Sequence, residues 1–294
     1  VNKKGLTASF IFEAESGNYG EGVGNVTSLK KVSRGNGESY TYISRQALRY
    51  NMIEQMGENN TPLDLDGSVI QFAPDATIKD YAEIDLFGYM KTKKPTKTRS
   101  AVARLSNAVS LESFNADLDF LTNKGLLDRY NKDRDEVKDG GNIAQSEIHK
   151  SYYAYTITVD LDKVGIDEND EIEITNDEKA NRVNKLLDVI KFLYRDIKGR
   201  RENLSPIFAI GGVYDIKNPF FENKLKVKNN NLVINTITDV FKLDNSIKNA
   251  TKIGLIRGIF ENDNKIIEEL SVVGMGEFFD LIKSEVKRYY DENK

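Results

Sequence analysis

The chain has 294 residues, 39% of them hydrophobic, with a formal net charge of −4. The length suits one domain carrying sizeable insertions, and the apolar content is enough for a real core. The absence of Cys excludes disulfides, thiolate metal sites and cysteine nucleophiles, and a lone His149 argues against a histidine metal centre or a Ser-His-Asp triad.

In chain order, Leu6 to Ala14 alternates and predicts a strand. A loop with Gly17, Gly20, Gly22 and Gly24 follows, too irregular for a phosphate-loop or dinucleotide fingerprint. A helix is expected over about Tyr42 to Met56. Ala82 to Met90 and Ser100 to Leu111 both alternate and predict two strands. Joined across Lys91 to Arg99, with Pro95 near the middle, they read as a protruding hairpin with a basic tip. Asp128 to Asn142 is charge-dense and reads as a mobile surface loop.

His149 to Leu161 is the clearest strand. Asp177 to Ile197 is the clearest helix, with Asp177 and Glu178 in its first turn and Lys198-Gly199 closing it. Pro206 to Tyr214 predicts a strand. Lys224 to Val240 predicts a strand pair turning at Asn229-Asn230-Asn231, Ile253 to Phe260 a further strand, and Glu277 to Tyr290 a closing helix. With its insertion removed, the order is the β-α-β-β-α-β of a ferredoxin-like or RNA-recognition-motif-like core, an α+β fold. The whole chain, 1–294, reads as one domain with insertions over about 57–81 and 112–146.

Charge is segregated along the chain. Leu86 to Leu111 holds no acid, yet contains Lys91, Lys93, Lys94, Lys97, Arg99 and Arg104. Asp160 to Glu178 is strongly acidic. One positive and one negative face are expected. At 100° per residue, Arg45, Gln46 and Arg49 share about a third of the helix circumference. Ser44 stands beside them in a first turn whose N–H groups lack intrahelical partners. Two guanidiniums, an amide, a hydroxyl and free backbone donors suit phosphate oxygens, although a capped, solvated basic face has the same composition.

Other signals are weaker. His149 could serve as a general acid or base, but a lone His beside a tyrosine-rich strand is more often structural. Asp85, Asp160 and Asp162 show no metal-ligand spacing. Tyr152, Tyr153 and Tyr155 could stack on bases, but alternation sends Tyr153 and Tyr155 to one face and Tyr152 to the other, so at least one set belongs to a core. Gly211-Gly212 reads as a turn. No apolar run approaches the roughly 18 residues of a membrane span. The N-terminus lacks a signal-peptide layout, so a cytoplasmic location is expected.

The loop Ser16-Gly17-Asn18-Tyr19-Gly20-Glu21-Gly22-Val23-Gly24-Asn25, followed by Tyr42-Ile43-Ser44-Arg45-Gln46-Ala47-Leu48-Arg49 at a helix start, resembles the Cas-seven/DevR family of type I CRISPR complexes, and within it the I-B branch. Asp85-Leu86-Phe87-Gly88, and Ser146-Glu147-Ile148-His149 running into Tyr152-Tyr153-Ala154-Tyr155, extend the likeness, which thins after about Asn218. The resemblance implies a RAMP-superfamily palm with inserted fingers and a protruding thumb. Copies would assemble head to tail on a guide CRISPR RNA, beside Cas-five and large Cas-eight type subunits, and would present the guide to a target DNA strand.

By position, the resemblance implies RNA contacts at Ser44, Gln46 and Arg49, with Asn18 and Asn25 in the adjoining loop. Arg45 joins them by helix geometry, since the family commonly has a small residue there. Lys91, Lys93, Lys94, Lys97 and Arg99 would belong to the thumb or to an RNA-contacting strand. Related type III subunits cut target RNA with an aspartate near this helix. Glu38 and Ser39 occupy that neighbourhood here, so no catalysis, metal or cofactor is expected. The alternatives are an endoribonuclease of the same superfamily acting through His149, and a DNA-binding regulator.

Overall fold

The computed structural model describes residues 3–35, 37–140 and 143–293. The first strand, β1 (Gly5–Ala14), is buried along nearly all its length because both its faces are covered, as its almost unbroken run of apolar and small residues requires. Short strands β2 (Tyr19–Val23), β3 (Val26–Leu29), β4 (Lys31–Ser33) and β5 (Ser39–Ile43) lead to α1 (Arg45–Met56). The hairpin β6 (Leu63–Asp66) and β7 (Val69–Phe72), the helix α2 (Ala82–Phe87) and the hairpin β8 (Tyr89–Lys91) and β9 (Lys97–Arg99) follow. Next come β10 (Ala103–Leu105) and β11 (Ala108–Ser110), then β12 (Asp117–Thr122), α3 (Lys124–Asn131) and β13 (Ile143–Ile148).

The long strand β14 (Ser151–Asp160) precedes β15 (Ile166–Asp167), β16 (Ile172–Glu173), α4 (Asn176–Lys191) and the hairpin β17 (Tyr194–Ile197) and β18 (Arg200–Asn203). After β19 (Phe208–Tyr214) the chain adds β20 (Val227–Lys228), β21 (Asn231–Leu232), α5 (Asn235–Phe241) and α6 (Asn245–Ala250). It ends with β22 (Lys252–Leu255), α7 (Asp263–Glu269), β23 (Val272–Gly274) and α8 (Met275–Glu292).

The fold is mixed α and β. In the main sheet β1 lies between β19 and β14, antiparallel to both, and β10 and β11 pair with the far side of β14. Alternation along β1 sends Phe10 and Phe12 to one face, where they meet Tyr153 and Tyr155, Leu48 and Met52 of α1, Leu186 of α4 and Phe278 and Phe279 of α8. Ile11 points to the other face, into a second core built with Phe208 and Ile210 and the C-terminal residues Phe221, Ile237 and Phe260. Tyr152 joins that core against Phe260, so no tyrosine of the triplet is an exposed stacking platform.

Several predicted elements differ. Ala82 to Met90 is not one strand but α2 followed by β8. Over six residues both periodicities fit, and burial of Ala82, Ile84, Asp85, Leu86 and Phe87 on all sides removed the pattern. Ser100 to Leu111 is two strands, because Ser106 pairs with Thr156 by accepting its N–H at the hydroxyl and donating its own N–H to the Thr156 carbonyl. The helix expected to reach Ile197 stops at Lys191. Lys198 and Gly199, with φ of 50° and 78°, form the turn of the β17–β18 hairpin instead of a helix cap. The strand pair expected to Val240 ends at Leu232 and gives way to α5, and the strand from Ile253 ends at Leu255. Asp128 to Asn131 belong to the exposed helix α3, while Gly141 and Asn142 lie outside the described residues.

The segregated charges do not form opposite faces: they meet. Lys97 pairs with Asp170, Arg104 with Asp160 at 2.8 Å, and Lys217 with Asp160 and Asp162. At the centre is Asp85, fully buried, which accepts from Arg99 at 2.8 Å, Arg182 at 2.9 Å and the Gly165 N–H at 2.9 Å. Burial pushes its carboxyl upward, and the two guanidiniums and the amide oppose that push. Asp85→Ala should lower the unfolding free energy by about 3 kcal/mol, since it removes the carboxylate that Arg99 and Arg182 share in a buried setting, leaving Arg182 with Glu178 and both with backbone carbonyls. Urea denaturation followed by circular dichroism would measure it.

Candidate nucleic-acid interface

The start of α1 is tightly fastened. Ser44 is its N-cap and accepts the Ala47 N–H on its hydroxyl at 3.2 Å. The Ser44 N–H donates to Asn18 Oδ1 at 2.6 Å, and the Arg45 N–H donates to Asn107 Oδ1 at 2.9 Å. Of the backbone donors at residues 44–47, only the Gln46 N–H lacks an acceptor among the described residues. The free first turn expected from sequence is therefore three-quarters consumed.

Asn18 is itself held, donating its N–H to the Tyr42 carbonyl at 2.8 Å. Its neighbour Gly17 lies so close to Tyr42 that a Cβ would fall 2.7 Å from that carbonyl oxygen. A buried Arg195–Glu202 pair grips the same loop, Arg195 through the Ser16 carbonyl and Glu202 through the Glu15 N–H.

Beyond this start, exposed Arg45, Gln46 and Arg49 border a cavity of about 510 Å³ floored by Phe87, Ala101, Ala103 and Leu105. A second cavity, of about 400 Å³, shares Arg45, Arg104 and Leu105 with the first. A third, of about 500 Å³, shares Ser106, Thr156 and Glu222 with the second and adds Arg34, Lys226 and Lys228. The three make one trough. Its acids are Asp160 and Glu222, and Asp160 is engaged by Arg104 and Lys217. Although burial opposes it, the Arg104 and Lys217 contacts hold the Asp160 carboxyl below its ordinary value. Arg45, Arg49, Lys226 and Lys228 have no carboxylate within 4 Å among the described residues, although Arg49 lies near enough to Glu83 to oppose the upward push of burial on that carboxyl. A trough of unneutralised cations with an apolar floor can bind a polyanion that also carries apolar faces.

A family model described as CRISPR-associated negative auto-regulator DevR/Csa2 matches residues 6–237. The chain belongs to the DevR/Csa2 family. No curated protein matches it. Its fold is similar to a chain of a CRISPR RNA-guided surveillance complex in a pre-nicking state, with a TM-score of 0.60 and 11% identity over 86% of this chain and 93% of that one. It is also similar to a chain of another CRISPR RNA-guided surveillance complex, with a TM-score of 0.56 and 14% identity over 99% of this chain and 100% of that one.

In this DevR/Csa2 chain the other residues singled out from sequence are placed as follows. Asn25 sits at the β2–β3 turn, its carbonyl accepting the Gln145 N–H at 2.9 Å, and does not line the trough. Lys91 is 2% exposed and donates to the Pro74 and Ala76 carbonyls, and burial pushes its ammonium below the ordinary value. Arg99 is spent on Asp85, Lys97 on Asp170 and Lys93 on Asp64. Among the described residues Lys94 alone of that group has no such partner, so the β8–β9 hairpin is a fastened strap and its tip is largely neutralised.

His149 is buried, with Nδ1 2.8 Å from the Thr41 hydroxyl, and burial lowers its imidazole below the ordinary value. Among the described residues no group of three or more His, Asp or Glu is arranged to hold a metal, and no helix is long and apolar enough to cross a membrane.

Sequence reasoning missed Asn107, Lys226 and Lys228. Asn107 follows the Ser106 irregularity, and the antiparallel pairing of β11 with β5, Ala108 opposite Ile43, carries it to Arg45. The Lys226-Val227-Lys228 alternation is visible in sequence but carries no sign of its neighbours. Asn18→Ala and Asn107→Ala should each lower stability by about 1 kcal/mol, the value of a lost cap acceptor. Asn18→Asp, which keeps the acceptor, should not. Shifts in the urea midpoint at constant slope would check this.

Proposed function

We propose that this chain is a non-catalytic, guide-RNA-binding backbone subunit of a CRISPR surveillance complex of type I-B. It grips the sugar-phosphate chain of any spacer sequence and polymerises along it, so that the guide can pair with a target DNA strand. The observation that carries this reading is the trough at the α1 start, where exposed Arg45 and Arg49 have no carboxylate within 4 Å among the described residues, beside the Gln46 N–H, which donates no bond there. Arginine, lysine, amide and helix-start donors are the groups that contact phosphate and sugar, and they hold RNA without reading its bases.

The strand order β19–β1–β14–β10/β11, with α1 and α4 on one face, supports an RNA-recognition-motif-like palm. The insertions over 57–81 and 112–146 would be the fingers and thumb. The β12 strand, exposed along its whole length, suits a thumb better than the fastened β8–β9 strap does. Cas-five and Cas-eight type subunits are the proposed neighbours, in the cytoplasm. The burial of His149 and the presence of Glu38 and Ser39 before α1 support a role without chemistry.

Native mass spectrometry on RNAs of increasing length should show the number of bound copies rising with length. A fixed oligomer on duplex DNA would favour a regulator, and cleavage of repeat RNA lost in His149→Ala would favour an endoribonuclease. Arg49→Glu should weaken binding to all sequences alike and lessen the slope of log affinity against log salt by roughly 0.7, without shifting the thermal midpoint.

A further inference from the structure

The middle of the trough holds a carboxylate that a phosphate grip does not need. Ionised carboxylates accept hydrogen bonds and donate none, so they repel a phosphate and suit a hydroxyl. Asp160 and Glu222 both line the second cavity, of about 400 Å³. Asp160 is engaged by Arg104 and Lys217, whereas half-buried Glu222 has no cation within 4 Å among the described residues.

The floor of the same cavity is hydroxylic. Leu6, Ala8, Ile157 and Val159 enter the helix-side core, so alternation leaves Thr7 and Thr158 on the opposite, trough face. Register sets Ser9 opposite Thr156 and Thr7 opposite Thr158. The Ser9 and Thr156 hydroxyls close on each other at 2.6 Å. On the next rung neither threonine hydroxyl has a hydrogen-bond partner among the described residues, and Thr158, unlike Thr7, is only half-buried. Valine would fill either place without the cost of an unpaired hydroxyl.

A free acceptor beside a free hydroxyl, between the cations Arg45 and Arg104, matches a sugar hydroxyl flanked by phosphates. Resting on the RNA-binding reading, we infer that this cavity reads ribose: one sugar of the bound strand lies over Thr158 and donates its 2′-hydroxyl to Glu222. The 2′-hydroxyl is the group by which a protein tells RNA from DNA at a given site. The chain is thus selective for RNA here while remaining blind to the bases.

Fluorescence anisotropy would compare oligouridine, oligodeoxyuridine and 2′-fluoro oligouridine of equal length, the last keeping an RNA-like sugar pucker with no hydroxyl to donate. Oligouridine should bind roughly tenfold more tightly than either, the effect of one hydrogen bond to a charged group. Thr158→Val and Glu222→Met should each cut that preference at an unchanged urea midpoint, since neither side chain has a protein partner to lose. Loss of a repulsive charge at Glu222 would by itself tighten all three strands alike and leave the ratio unmoved. Equal affinity for oligouridine and either comparison strand overturns the ribose site and leaves the phosphate grip standing. So does a preference kept intact by either variant. Failure of all three strands to bind overturns the RNA reading and the ribose site together.

Discussion

A carboxylate sealed from solvent organises this molecule. Asp85 is shared between Arg99 on the β8–β9 strap, Arg182 on α4 and the amide of Gly165 in the acidic loop. Such a group is tolerable only when fully partnered, so the three segments must arrive together. Their arrival fixes α2, which carries Asp85 and ends at Phe87. Phe87 in turn floors the cavity beside α1. The candidate interface is thus built beside this buried polar network, while the separate Arg104–Asp160–Lys217 cluster lines the trough itself.

The same network resolves how an acidic chain can present a basic surface. The basic run from Lys91 to Arg104 and the acidic run from Asp160 to Glu178 neutralise each other across the fold. Net charge and local charge density along the chain are therefore poor guides to the surface potential. What counts is which cations around the trough have no carboxylate within 4 Å among the described residues, Arg45 and Arg49 on α1 and Lys226 and Lys228 farther along it among them. Lys91 illustrates the opposite case. In sequence it heads a basic cluster, and in the fold it is a buried donor to two carbonyls.

Much of the architecture was legible because long elements have long patterns. β1 and β14 declare themselves by alternation and composition and α4 by its apolar spacing, and the structure keeps them, whereas the core strand expected over Ala82 to Met90 is α2 and β8 instead. The failures lie where a pattern is too short to have a period, as in α2, or where a local conformation overrides it. Phe192 to Ile197 continues the apolar spacing of α4, yet Lys198 and Gly199 both take positive φ and turn the chain into a hairpin. The site was half legible. Ser44, Arg45, Gln46 and Arg49 could be read from one helix turn, whereas Asn107, at the Ser106 interruption between β10 and β11, reaches them only because β11 pairs with β5, the strand that runs into α1.

That interruption separates the supporting parts from the contacting parts. Asn18 and Asn107 spend their acceptors on the first two amides of α1, so their side chains fix the helix start and have less left to offer a ligand. Gly17, Arg195 and Glu202 hold Asn18 in turn. The groups that line the trough and remain for a polyanion include guanidiniums, ammoniums, the Gln46 and Asn223 side-chain amides and one backbone N–H. Under the proposed reading such groups would meet phosphate and sugar, which carry no sequence information. Indifference of this kind is what a subunit must have if the same side chains are to hold every guide.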